Sequence, residues 1–295
     1  MKLLRIGEAG RERAAVRNPD GSVVDVSSVT ADFDANFFDR RGIQTLQRAL
    51  RAGTFPTVEL YEQRVGPPIA RPGKIVCVGL NYREHIREAC LDEPAEPVLF
   101  LKAPNALCGP NDDLLIPPAS STTDWEVELG VVIGSPARYL ASEAAARDVI
   151  AGFCVSNDVS ERSFQLERGG QWTKGKSCET FNPLGPWLVT PDEITDVGAL
   201  HLWCSVNGTT YQSALAAQMI RDVYYLVWYV SQFMVLDPGD LINTGTPSGV
   251  GLGLDPQRYL MPGDVLTAGI DGLGSQRQVC TRALAEVAID DPIRG

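Results

Sequence analysis

The sequence predicts a mainly β fold with a few helices, an α+β arrangement, and three observations carry that expectation. From Lys74 onward, short β-rich segments recur between turn signals. Asn207-Gly208 and Asp271-Gly272 are dipeptides that favour tight hairpins. Helical patterns are few and do not alternate regularly with the strands, which argues against a doubly wound α/β sheet.

Taken in order, residues 1–70 read as a small N-terminal α/β domain. A hairpin is expected at Asn18-Pro-Asp-Gly-Ser22, between Arg11–Arg17 and Val23–Ser27, and a short helix over Gln44–Ala52. The Pro-rich connector Val65-Gly-Pro-Pro-Ile-Ala-Arg-Pro-Gly73 marks a boundary, which leaves 71–295 as a second domain. Its expected strands are Lys74–Leu80, Val98–Lys102, Trp125–Ile133, Gly152–Ser156, Trp187–Thr190, Leu202–Val206, Asp240–Asn243, Val265–Ile270 and Arg277–Thr281. Helices are expected at Tyr82–Glu88, Glu143–Val149 and Gln218–Phe233, the last apolar nearly all round and therefore buried.

Composition narrows the function. With 44% hydrophobic residues in 295, the chain can bury a large core. The net charge of −11, with no long run of either sign, argues against nucleic acid or an anionic membrane as partner. Seven scattered cysteines without a Cys-x-x-Cys pair read as reduced thiols. The longest apolar stretch, Val223–Leu236, contains Ser231 and Gln232 and is too short to span a bilayer. The start of the chain lacks the apolar core of a signal peptide, so a soluble, cytoplasmic protein is expected.

The most informative feature is a pair of glutamates one residue apart, Glu126 and Glu128, in an alternating run followed by Asp158. Strand alternation puts both on the face opposite Trp125, Val127 and Leu129. Side by side they repel unless a cation lies between them, and three carboxylates suit a hard ion such as Mg2+ or Mn2+. Spacing alone also fits a solvated acidic strand face.

Two glycine-rich segments invite nucleotide readings that their context rejects. Gly170–Ser177 matches the phosphate-loop pattern G-x-x-x-x-G-K-S, but no strand pattern precedes it, and Pro183 and Pro186 follow. Thr244–Gly253 lacks the helix that a dinucleotide fold needs. A backbone loop whose N–H groups grip a carboxylate, with the Thr246 hydroxyl as a further donor, fits it better, beside the alternative of an ordinary tight connection. Of the two histidines, His201 opens a strand pattern and is expected to pack or face solvent. His85 and Glu88 sit at i and i+3, so the carboxylate can orient the imidazole as a base; such pairs are also common surface contacts.

In order, Gly79-Leu-Asn-Tyr82 with His85 and Glu88, Asp124–Leu129, Asn157–Arg162, Gly175-Lys-Ser177 and Gly245–Gly251 resemble the fumarylacetoacetate hydrolase family, over about residues 73–287. The match is closest to bacterial members acting on 2,4-diketo-3-deoxy sugar acids such as the L-rhamnonate and L-fuconate derivatives, some of them called ureidoglycolate lyases. The resemblance implies a mixed β-roll catalytic domain, a homodimer, and Mg2+ or Mn2+ held by Glu126, Glu128 and Asp158. It implies that His85 and Glu88 stand on a lid as the catalytic pair, with Lys176 as the catalytic cation. Arg162, Gln165, Thr246 and Tyr82 would then hold a small diketo acid substrate.

The implied reaction is hydrolysis of the C–C bond of a 2,4-dioxo acid, an acylpyruvate or a diketo sugar acid, to pyruvate and a second acid. The alternatives on the same fold are oxaloacetate decarboxylase and ureidoglycolate lyase. Two stretches depart from the family pattern, Gln212–Met219 and Ile86–Pro94. Both are expected to touch the distal end of the substrate pocket.

Overall fold

The computed structural model describes residues 1–61 and 63–284. The end of the second domain, 285–295, and the last positions of the family resemblance, 285–287, lie outside the described residues.

Two sheets dominate a mixed α and β fold. The larger has ten strands, running in the order Val23–Asp25, Arg13–Arg17, Lys2–Ile6, Leu188–Val189, Ile150–Asn157, Val127–Ile133, Leu241–Asn243, Ile75–Gly79, Val98–Lys102, with Val65–Gly66 also pairing with Lys2–Ile6. The second has five, in the order Thr209–Leu215, His201–Val206, Val265–Ile270, Gly274–Arg282, Leu114–Ile116. The Asn207-Gly208 and Asp271-Gly272 cues are turns within the second sheet, the Asn18–Ser22 hairpin forms in the larger one, and Asn207 and Gly208 supply the positive φ values of 51° and 80° that such a turn needs. Among the described residues, no helix is long and apolar enough to cross a membrane.

The N-terminal segment is woven into the larger sheet. Lys2 and Leu3 pair with Val189 and Leu188. Leu3, Phe33, Phe37, Phe38 and Leu46 share one hydrophobic cluster with Ile75, Val132, Leu188 and Leu241. Arg64 joins Glu12 (2.8 Å) to Asp112 (2.6 Å) across the same junction.

Residues 127–133 explain why the site forms where it does. Val127, Leu129, Val131 and Ile133 enter the main core, whereas Val132 belongs to the other cluster, so the strand is buried on both faces while keeping its alternation. Glu128 lies on the Val132 face, opposite Ser156. The strand starts at Val127 rather than Trp125: the Asp124 carboxylate accepts the Trp125 N–H (2.8 Å), and the Asn157 side chain accepts the Glu126 N–H (3.0 Å). Val127 faces Asn157, Gly130 faces Asn243, and Asn243 faces Cys77. Chain segments leaving at Gly79, Asn157 and Asn243 therefore converge with the segment that enters at Glu126, all at one end of these neighbouring strands.

The last expected helix is shorter than its apolar pattern, spanning Val223–Val230. The Asp222 carboxylate caps its start by accepting the Tyr224 and Tyr225 N–H groups (both 2.9 Å), which sets the boundary that hydrophobicity alone does not reveal.

Candidate functional site

The converging segments surround a cavity of about 390 Å³. Glu126, Glu128 and Asp158 are all buried, and one carboxylate oxygen from each lies within 4.8 Å of the other two. His85, Glu88, Arg162, Gln165, Lys176 and Thr246 line the same cavity. Of the residues expected from the sequence, Tyr82 alone stands outside the lining. It is 2% exposed, and its hydroxyl has no hydrogen-bond partner among the described residues.

The carboxylates are held by cations and backbone. Lys176 Nζ donates to Glu126 (2.7 Å) and to Asp158 (2.9 Å). Arg162 bridges Glu126 (2.7 Å) and Asp124 (2.8 Å) and donates to Gln165 Oε1 (3.0 Å). Arg162 is thus occupied in fixing Glu126, and the nitrogen of the Gln165 amide remains as the end able to donate elsewhere. Lys102, fully buried, reaches Asp158 from the other side and donates to Val159 O (3.1 Å).

Protonation at the cluster is strongly biased. Burial pushes the Glu126 carboxyl up, but Lys176 and Arg162 outweigh it and hold Glu126 below the usual carboxylate range. Glu128 goes the other way: burial, then Asp158 and Glu126, raise it well above that range, against the opposing pull of Lys176 and the Gly245 N–H. Burial disfavours the Lys176 ammonium, yet Asp158 and Glu126 raise its affinity for the proton.

Across the cavity, residues 83–88 form the expected helix. His85 Nδ1 lies 3.1 Å from Glu88 Oε2, and Glu88 Oε1 accepts the Gly249 N–H (2.8 Å). Asn81 sets the helix entrance: its side chain donates to Thr244 O (2.8 Å) and Arg221 O (3.0 Å), tying this segment to the glycine loop.

That loop does grip carboxylates, though they are the protein's own. Gly245 N–H serves Glu128, Gly249 N–H serves Glu88, and the Gly251 and Leu252 N–H groups serve Asp124. Thr246 is likewise committed, donating to Val127 O (3.0 Å) and accepting from Gln212 (2.8 Å), so its hydroxyl is not the spare donor expected. At Gly251 a Cβ would fall 1.9 Å from Arg258 O, which accounts for glycine at that position.

Gly170–Ser177 is not a phosphate loop here. The helix Arg162–Leu166 precedes it and the single turn Thr173–Lys176 ends it. Gln212–Met219 also departs from expectation. None of it lines the cavity; Gln212 instead braces the Val127 N–H (3.0 Å) and the glycine loop. In the other atypical stretch, Ala89 and Leu91 do line the wall. His201 meets Ser213 (2.9 Å) and Asp271 on the second sheet, away from the cavity.

Sequence reasoning missed Lys102 and Asp124. A lysine closing an apolar strand, and an acid directly before the Trp-Glu-Val-Glu run, were the available signals. Neither shows by itself that the side chain turns inward.

The fumarylacetoacetate (FAA) hydrolase C-terminal family model matches residues 74–281. A Burkholderia multivorans relative, provisionally named a hydrolase with no substrate attached, is 48% identical over 284 residues, 96% of this chain and 99% of its own. Fumarylacetoacetate hydrolase from psychrophilic Exiguobacterium antarcticum superposes with a TM-score of 0.84 at 33% identity, over 96% of this chain and 100% of that one. Maleylpyruvate hydrolase from Sphingobium sp. SYK-6, solved with manganese (II) and pyruvate, has a TM-score of 0.79 at 26% identity, with the same coverage of 96% and 100%.

Proposed function

This chain belongs to the fumarylacetoacetate hydrolase family, and on that premise we propose that it is a divalent-metal-dependent hydrolase cleaving the C–C bond of a 2,4-dioxo acid to pyruvate and a second acid. The observation that carries the reading is the convergence of three buried carboxylates with the His85–Glu88 pair on one cavity. The donor set fits a cation: all its ligand atoms are oxygens, and Glu128 is a carboxyl whose ionisation burial and two like charges oppose. Glu126, Glu128 and Asp158 would hold Mg2+ or Mn2+, which supplies Lewis acidity toward the substrate's carboxylate and 2-oxo oxygens and charge for the enolate that leaves.

The chain's own groups account for the remaining chemistry. With Glu88 accepting from Nδ1, the other ring nitrogen of His85 is left as the base. It takes a proton from the water that attacks the C4 carbonyl. The C3–C4 bond breaks, its electron pair passes to the pyruvate enolate, and the hydroxyl remains on the acyl carbon as the second acid. Lys176 stands beside Glu126 and Asp158, where charge on the enolate oxygen develops. Protonation of the enolate carbon gives pyruvate.

The test is pyruvate release from acylpyruvates, diketo sugar acids and oxaloacetate with added Mg2+ or Mn2+. Activity is expected to vanish with EDTA and in Glu126→Ala; full activity in either sinks the proposal. His85→Ala is expected to lower hydrolysis by about 100-fold or more. If that variant keeps oxaloacetate decarboxylation, the two reactions separate, because decarboxylation forms the same enolate without an attacking water.

A further inference from the structure

Resting on the reading that this cavity takes a 2,4-dioxo acid, we infer that the chain selects substrates whose distal acyl group is an uncharged alkyl or aryl chain over those ending in a second carboxylate. The cavity's cations are gathered at one end and are already engaged. Among the described lining residues, the basic ones are His85, Arg162 and Lys176. Lys176 serves Glu126 and Asp158, Arg162 serves Glu126 and Asp124, and His85 faces Glu88.

The rest of the wall is chiefly apolar, with Leu80, Leu91, Phe100, Leu166, Trp172 and Leu252 as its large members. Apart from these cations and the carboxylates, its hydrogen-bonding side chains Gln165, Thr246 and Gln257 are neutral. Phe100 and Trp172 pack edge to face at 5.3 Å, and Lys176 Nζ lies 5.2 Å from the Phe100 centroid. The aromatic pair therefore begins where the charged cluster ends.

Leu91 and Leu166 come from different elements, one just after helix 83–88 and the other closing helix 162–166. They remain 51% and 48% exposed although both line the cavity, apolar surface that a bound alkyl or aryl chain would cover. A terminal carboxylate against this wall loses its water and gains no free cation. A polyhydroxylated chain fares little better, because its hydroxyls leave water for few polar partners. Maleylpyruvate, the substrate named for a structurally similar hydrolase, carries a second carboxyl group and is of the disfavoured kind.

The experiment compares 2,4-dioxooctanoate with 2,4-dioxooctanedioate, which differ in a terminal methyl against a terminal carboxylate. Two readouts are taken: kcat/KM for pyruvate release by the Mn2+-loaded enzyme, and binding to His85→Ala by calorimetry. The monoacid is expected to lead by about 100-fold in both. In Leu166→Arg the diacid is expected to gain about tenfold, closing part of the gap. Equal or tighter binding of the diacid overturns the inference whichever acid is cleaved. An unchanged ratio in Leu166→Arg overturns the placement of Leu166 on the distal wall. If neither acid releases pyruvate but the monoacid still binds more tightly, the selectivity stands and the proposed reaction falls.

Discussion

At Glu128, burial and the charges of Asp158 and Glu126 act in the same direction, each favouring the protonated carboxyl. The sign of the resulting pH dependence follows from this. A carboxyl raised above its unfolded value weakens the metal-free fold as pH climbs from the ordinary carboxylate range toward the folded value. A divalent cation must displace that proton in order to bind. Mn2+ affinity is therefore expected to tighten with pH, by up to about tenfold per unit while one proton is released. Calorimetric titration in buffers of different ionisation enthalpy reads the proton directly, and an affinity that is independent of pH with no proton released contradicts this account. Glu126 runs opposite, adding stability that is lost as pH falls through its lowered value.

Among the elements, the glycine loop shows how one segment serves two purposes. A Cβ at Gly253 would meet Glu88 Cγ at 2.1 Å, a side chain that can yield by leaving the Gly249 N–H and His85, whereas at Gly249 it would meet the Tyr211 backbone oxygen at 1.9 Å with φ already +102°. Gly253→Ala is thus expected to dislodge Glu88 and lower kcat by about tenfold or more while leaving the melting temperature nearly unchanged. Gly249→Ala strains the backbone itself and is expected to cost at least about 1–2 kcal/mol of stability in denaturant unfolding. Equal effects of the two variants on melting would show that the loop does not separate these roles. The glycines were visible in the sequence, and so was the expectation of a carboxylate gripped by their N–H groups. Whose carboxylate it is depends on Glu88 and the Asp124–Glu128 run arriving from two distant segments.

For the whole molecule, the Pro-rich run at 65–73 reads as a boundary, yet the strands on either side of it belong to one sheet. Removing residues 1–70 would strip Leu188–Val189 of its Lys2–Leu3 partner and uncover Ile75, Leu184, Leu188 and Leu241. A chain of residues 71–295 is expected to aggregate or bind a hydrophobic dye, and its cooperative unfolding as a soluble monomer would show the two parts to be separable. A composition change along the chain cannot reveal such pairing, because sheet neighbours far apart in sequence leave no local mark.

The sequence by itself determined the sheet-dominated fold class and most strand positions, and it paired Glu126 with Glu128 and His85 with Glu88. Each of these rests on short-range periodicity or fixed spacing, which a strand or one helical turn converts into a shared face, whereas Asp158 joined the glutamates through the family resemblance. Tertiary structure alone decided that Lys102 and Asp124 brace the cluster, that Arg162 and Thr246 are spent on the protein's own groups, that Tyr82 lies outside the lining, and that the distal wall is apolar. Those outcomes depend on which segments the sheet order brings together at one end of its strands. That order is fixed by burial summed over the whole core rather than by any local pattern.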